Sequence, residues 1–272
     1  MIQLENIVYH TEYFPDGTQR IIIPNEIMKL KEVQVCWKYE KEEELLTLFF
    51  LTKHLAERGI CCTLYMPYVP NGRMDRVKKD TEVFTLKYFA QMINQMHFKT
   101  VKVLDPHSHV LEALLDRVVI ESPRKYIEKT IESIKKVSPD LVLYFPDEGA
   151  MKRYSHMFSL PFCYGLKKRN WENGEILGIC VVTQGIDIRE KNILMIDDII
   201  AYGGSLYYSA NALKELGCGE IYAYATHVEN SAVDPQRGKL VQGDNVKQIF
   251  TTDSLFTKEH KKITVFPLSS KQ

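Results

Sequence analysis

Hydrophobic positions along the chain follow two alternating rhythms. Short runs rich in β-branched and aromatic residues stand at 62–66 (CTLYM), 100–104 (TVKVL), 141–145 (LVLYF), 192–196 (NILMI) and 221–225 (IYAYA). Each reads as a strand. Between them, apolar residues recur at helical spacing. Leu45, Leu48, Phe49, Leu51 and Leu55 lie on or near one face of a helix over roughly 40–58, a second helix is predicted at about 84–97, and Ile127, Ile131 and Ile134 mark a third over 123–137. A fourth is predicted from Ser205 to Leu216, stopped by Gly217. Strand and helix alternating in this way predict an α/β protein with mainly parallel sheets flanked by helices. The opening differs: residues 2–9 and 18–23 flank Pro15-Asp16-Gly17, a hairpin turn.

The two halves echo each other. LYMPYVP at 64–70 and LYFPDEG at 143–149 both pass from strand to a Pro-bearing loop, and VLDPHS at 103–108 and MIDDII at 195–200 both pass from strand to an acidic turn. The echo predicts a duplicated α/β unit, with domains at 1–122 and 123–272 and a boundary near Glu121-Ser122-Pro123. A chain of 272 residues is long enough for two such domains.

Charge narrows the partners. Lys plus Arg and Asp plus Glu both number 35, so there is no basic excess to grip a nucleic acid backbone. The six cysteines follow no metal-ligand spacing and read as reduced thiols; Cys61 and Cys62, adjacent on a strand, point to opposite faces. No apolar stretch has membrane-spanning length, and the N-terminus lacks the pattern of a signal peptide. The expectation is a cytoplasmic protein with no membrane partner.

In open α/β sheets, ligands bind beyond the carboxyl ends of the strands, and the chemistry-bearing clusters fall there. The most informative runs Ile196-Asp197-Asp198-Ile199-Ile200-Ala201-Tyr202-Gly203-Gly204-Ser205, directly before a helix. Glycines let backbone N–H groups close on an anion where the helix dipole favours one. Paired carboxylates can accept from ribose hydroxyls or reach a magnesium ion through water. An acidic turn with a helix cap would use the same residues, but their order favours a phosphoribose site. His227 reads as strand-end architecture, the run from Glu40 to Glu44 as a solvated helix start, and Tyr207 and Tyr208 as helix packing.

The Asp197–Ser205 segment resembles the phosphoribosyl-diphosphate motif shared by phosphoribosyltransferases and ribose-phosphate pyrophosphokinases. Other segments resemble the pyrophosphokinases in particular: Phe14-Pro15-Asp16-Gly17; Pro67-Tyr68 through Arg73-Met74-Asp75-Arg76; Asp105-Pro106-His107-Ser108; Pro146-Asp147-Glu148-Gly149 through Arg153; and Lys167-Lys168-Arg169. The resemblance spans nearly the whole chain in order. It implies two tandem phosphoribosyltransferase-like domains and a magnesium-dependent transfer of diphosphate from ATP to the C1 hydroxyl of a ribose phosphate. By the same resemblance Phe14, Asp16, Arg73, Asp75, Arg76 and His107 serve ATP. His107 and Asp147 serve magnesium. Asp197, Asp198, Ala201, Tyr202, Gly203, Gly204 and Ser205 serve the sugar phosphate. Lys167 and Arg169 are catalytic, with NWENGE at 170–175 as a mobile lid. The hairpin bearing Phe14 implies a homo-oligomer, since in the family it reaches a neighbour's adenine.

The sequence also departs from the family. Ala201 and Tyr202 stand where an acid and a threonine are usual, Met74 replaces a glutamine, and Thr18 replaces an acid. An aromatic ring beside the sugar pocket predicts an acceptor substituted beyond its 5-phosphate. ADP-ribose is the expected acceptor, similar to that of short phage-encoded synthetases that serve NAD synthesis, with ribose 5-phosphate as the alternative. A catalytically silent regulatory subunit is a further alternative.

Overall fold

The computed structural model describes residues 1–136, 140–169 and 176–268. They fall into two compact units, Met1–Ser122 and Pro123–Ser269.

In the first unit the order is β1 (Ile2–Leu4), β2 (Ile7–Tyr9), β3 (Glu12–Tyr13), β4 (Gln19–Arg20), β5 (Glu32–Trp37), α1 (Glu43–Glu57), β6 (Cys61–Met66), α2 (Thr85–Asn94), β7 (Val101–Leu104), α3 (Val110–Leu114) and β8 (Val118–Glu121). Among the described residues the main sheet runs β2-β1-β5-β6-β7-β8, and β5 to β8 are parallel. Alternation sets its faces: β5 buries Val33, Val35 and Trp37, and β6 buries Cys62, Leu64 and Met66 while Cys61 stays exposed. α1 buries Leu48, Leu51 and Leu55 in the core cluster of this unit. It ends where Gly59 takes φ +73 and the Ile60 N–H returns to the Leu55 carbonyl.

Two expectations need correction here. Residues 2–9 do not pair across the Pro15-Asp16-Gly17 turn; they fold on themselves as β1 and β2, and the turn joins only β3 to β4. The Glu40–Glu44 run is not wholly solvated. Glu44 is buried and accepts hydrogen bonds from Trp37 Nε1 (2.9 Å), the Glu40 N–H (3.0 Å) and the N-terminal ammonium. A buried indole N–H needs an acceptor, and periodicity does not reveal which residue supplies it.

The second unit runs α4 (Arg124–Lys135), β9 (Leu141–Phe145), α5 (Glu148–Tyr154), β10 (Phe162–Arg169), β11 (Ile176–Val182), β12 (Asn192–Ile200), α6 (Gly204–Glu215), β13 (Ile221–Val228), α7 (Lys239–Gln242), β14 (Gln248–Thr252) and β15 (Ile263–Phe266). Its sheet among the described residues has the order β11-β10-β9-β12-β13-β14-β15, parallel except for the β10–β11 edge hairpin. β9 and β13 are buried along their whole lengths, as strands covered on both faces must be, which is why they read as unbroken hydrophobic runs.

Candidate functional site

The second unit presents the acidic strand end. β12 does not stop before Asp197 as the sequence reading supposed. It continues to Ile200, with Asp197 beside Ala225 and Ile199 beside His227 of β13. Held in the ladder, Asp197 is only partly open to solvent and Asp198 is buried. Asp197 accepts the Asp198 N–H at 3.0 Å. Burial first, then the neighbouring carboxyls of Asp198 and Asp147, push the Asp197 carboxyl well above the usual range. Asp147, after β9, caps α5 by accepting the Ala150 N–H at 3.0 Å. Three carboxyl groups are thus close enough to interact, and a hard cation relieves that strain as protons do.

Beyond them the chain turns through Ala201 and Tyr202 to Gly203, the N-cap of α6, in the left-handed region at φ +77. Gly203 is required twice over. A side chain there would be strained, and its Cβ would lie 2.5 Å from Leu240 Cβ. Leu240, on α7, packs against Gly203 where the loop enters α6. Gly204 and Ser205 follow at that helix N-terminus, whose unpaired N–H groups favour an anion.

Tyr144 ties this turn to the sheet. Its buried hydroxyl donates to Ser209 Oγ at 3.0 Å, and Ser209 donates to the Ser205 carbonyl at 3.0 Å. Burial pushes the Tyr144 hydroxyl far above its ordinary range, so it stays a donor. Gly165 on β10 makes room for it, since a Cβ there would lie 2.3 Å from the Tyr144 hydroxyl. Lys167 and Arg169 follow on the same strand, their backbones paired with β11 and the register shifting between Lys168 and Arg169. Their side chains, and residues 170–175, which the resemblance reads as a lid, lie outside the described residues. His227 is buried with Nδ1 2.8 Å from Ser254 Oγ, within a strand-end network that includes Thr226 and Thr252. Tyr207 packs beside Gly243 and edge-on against Tyr208, which is 39% exposed.

In the first unit, the loop after β6 carries Arg73, Asp75 and Arg76. Asn71 takes φ +62, and the Met74 N–H donates to the Asn71 carbonyl at 2.9 Å. Gly72 lets the loop lie close: a Cβ there would meet the Val69 carbonyl at 3.1 Å and His107 Cβ at 3.9 Å. The structure therefore brings the Arg73 loop and the His107 turn together. Arg73 and Arg76 are exposed, and Arg76 Nε lies 3.4 Å from Asp75. Before His107, Asp105 is buried at φ +46, a strained conformation for an aspartate at a strand end. Phe14 is half exposed on the β3–β4 turn, where Asp16 accepts from the Thr18 N–H (3.0 Å) and hydroxyl (2.7 Å). Thr18, the departure from the family acid, thus closes the turn internally.

Among the described residues no three His, Cys, Asp or Glu side chains are gathered as a metal cage, and no helix is long and apolar enough to cross a membrane.

No protein-family model matches the chain. It is 26% identical to the ribose-phosphate pyrophosphokinase of Saccharolobus solfataricus, over 84% of this chain and 77% of that one. To the enzyme of the same name from Sulfolobus acidocaldarius it is 28% identical, over 94% and 87% of the two chains. Its fold matches the crystal structure of phosphoribosylpyrophosphate synthetase from Mycobacterium smegmatis with a TM-score of 0.77 at 19% identity, covering 95% of this chain and 85% of that one. The two units are accordingly the tandem phosphoribosyltransferase-like domains of that fold, and in sequence the chain is related to the ribose-phosphate pyrophosphokinases.

Proposed function

We propose that the protein transfers the β,γ-diphosphate of ATP to the C1 hydroxyl of ribose 5-phosphate, releasing AMP and forming phosphoribosyl diphosphate. The observation that carries this reading is the acidic end of β12 leading through left-handed Gly203 into α6, in a chain whose relatives bear the pyrophosphokinase name.

The C1 oxygen forms a bond to the β-phosphorus as the bond from that phosphorus to the α-bridging oxygen breaks, and AMP departs with that oxygen. Little covalent work falls to the protein; positioning and charge neutralisation dominate. Asp197 and Asp198 accept from the ribose hydroxyls, and the N–H groups of Gly204 and Ser205 receive the 5-phosphate. Arg73 offers its planar fork to ATP phosphate oxygens, with Asp75, Arg76 and His107 alongside; Phe14 and Asp16 complete the adenine contacts from a neighbouring subunit. Lys167 and Arg169 stabilise charge on the group in transit.

Magnesium fits these residues. It takes one or two carboxylates together with substrate phosphates and water rather than a protein cage, and the crowded carboxyls of Asp147, Asp197 and Asp198 favour such an ion. When bound it would neutralise the ATP phosphates; Asp147 is the residue of the second unit that would hold it, and His107 is the metal-binding candidate of the first.

One observation favours a second acceptor, ADP-ribose. Tyr202 sets a half-buried ring in the sugar-phosphate loop itself, a surface on which a group beyond the 5-phosphate can stack. Incubation with ATP, magnesium and each acceptor, followed by mass-resolved products, tests both. AMP with ribose 5-phosphate supports the first reading, turnover of ADP-ribose alone the second, and no AMP with either removes both and restores the silent-subunit reading.

A further inference from the structure

Arg237 comes from a part of the chain that no motif marks, yet it lies across the candidate sugar-phosphate loop. Its guanidinium carbon stands 3.8 Å from the centroid of the Tyr202 ring. So close an approach sets the cation over the ring while its N–H donors can still serve an anion. Among the described residues no carboxylate or other acceptor is bonded to those donors. Arginine stacked on an aromatic ring in this manner is a phosphate fork held in place in advance.

Its support is built rather than incidental. Asp234 Oδ1 accepts the N–H groups of Gln236 and Arg237, both at 2.9 Å, and the Asp234 carbonyl accepts the Gly238 N–H at 2.9 Å and Gln242 Nε2 at 2.7 Å. Gly238 is wedged in, because a Cβ there would lie 2.3 Å from the Ala232 carbonyl. Two residues further, Leu240 seats the same segment on Gly203. The turn that carries Arg237 is therefore pinned to the loop that carries Tyr202.

Charge gives the pair a purpose. Between Ile196 and Ser205 the only ionisable carboxyls or cations are Asp197 and Asp198. For an anionic acceptor the loop itself thus offers backbone N–H groups but no side-chain cation. We propose that Arg237, braced on Tyr202, is an acceptor-binding residue of this site and holds a phosphate oxygen of the incoming sugar phosphate. The inference rests on the sugar-phosphate reading of the loop.

Binding separates this inference from the catalytic reading. Isothermal titration of the full-length chain with ribose 5-phosphate and with ADP-ribose is compared for the unaltered protein, Arg237→Ala, Arg237→Lys and Tyr202→Leu. Loss of a charge-assisted hydrogen bond weakens Kd by about tenfold or more. Arg237→Ala is expected to weaken at least one of the two acceptors by that factor, with Arg237→Lys recovering part of it, Tyr202→Leu losing part of it, and ATP binding unchanged. Arg237 is exposed, so its substitution leaves the melting temperature in place. Unchanged binding of both acceptors in Arg237→Ala, or an equal loss of ATP affinity, overturns the inference. An absence of AMP release by the unaltered protein with either acceptor counts against diphosphotransfer and leaves the binding comparison to decide Arg237.

Discussion

Gly203 is the position at which fold and site depend on one another most directly. Gly203→Ala adds one methyl group and two separable costs. Holding alanine at φ +77 costs about 1–2 kcal/mol. The new Cβ also falls 2.5 Å from Leu240 Cβ. Because that partner atom is fixed to the backbone, no rotamer change relieves the overlap, and overpacking of this kind costs about 1–3 kcal/mol. The sum, about 3 kcal/mol, is expected as a fall in urea-denaturation midpoint followed by circular dichroism. It should be accompanied by a raised KM for the acceptor and an unchanged KM for ATP. A cycle with Leu240→Gly, the substitution that removes the clashing Cβ, separates the two costs. In that background the overlap is gone and Gly203→Ala should cost only the backbone part, about 1–2 kcal/mol. An equal cost in both backgrounds would refute the packing argument, and a neutral Gly203→Ala would refute both.

Other substitutions test other links. Asp197 holds its proton to higher pH folded than unfolded, so its ionisation destabilises the fold progressively as pH rises above about 4, and the penalty is full above its raised folded value. Asp197→Asn should therefore stabilise the protein at pH 8, with the gain shrinking toward pH 4, while diphosphate transfer is lost; a gain independent of pH contradicts the assignment. Gly165→Ala drives a Cβ to 2.3 Å from the Tyr144 hydroxyl and should cost about 2–3 kcal/mol by calorimetry. Tyr144→Phe should restore part of that loss, and no restoration would show that the clash lies elsewhere. Arg73→Ala should raise KM for ATP by tenfold or more, the worth of a charge-assisted phosphate contact, without changing KM for the acceptor; an unaltered ATP KM would remove Arg73 from the ATP site.

The strand–helix alternation was legible in the sequence because buried parallel strands and amphipathic helices leave local periodic signatures. The Gly203 turn was legible for a similar reason, since its glycine, acids and helix are contiguous. What escaped local reading depends on distant contacts. β12 passes through Asp197 and Asp198 because β13 pairs with it, and nothing within the acidic run announces that partner. The opening residues close on one another instead of across the Pro15-Asp16-Gly17 turn, a choice between two hairpins that alternation alone does not make. Glu44 looked like one charge in a solvated run until Trp37 and the N-terminus claimed it. Tyr144 and Arg237 meet the loop from 61 and 35 residues away, counting Tyr144 to Ser205 and Tyr202 to Arg237, so no motif includes them.

The account rests on an intact diphosphate moving from ATP to the sugar. ATP labelled with distinguishable phosphorus isotopes at the β and γ positions, incubated with magnesium and ribose 5-phosphate or ADP-ribose, follows both atoms at once. Equal β and γ label in the sugar product, with neither in AMP, is the predicted result. Label from γ alone in the product, accompanied by ADP, would contradict it.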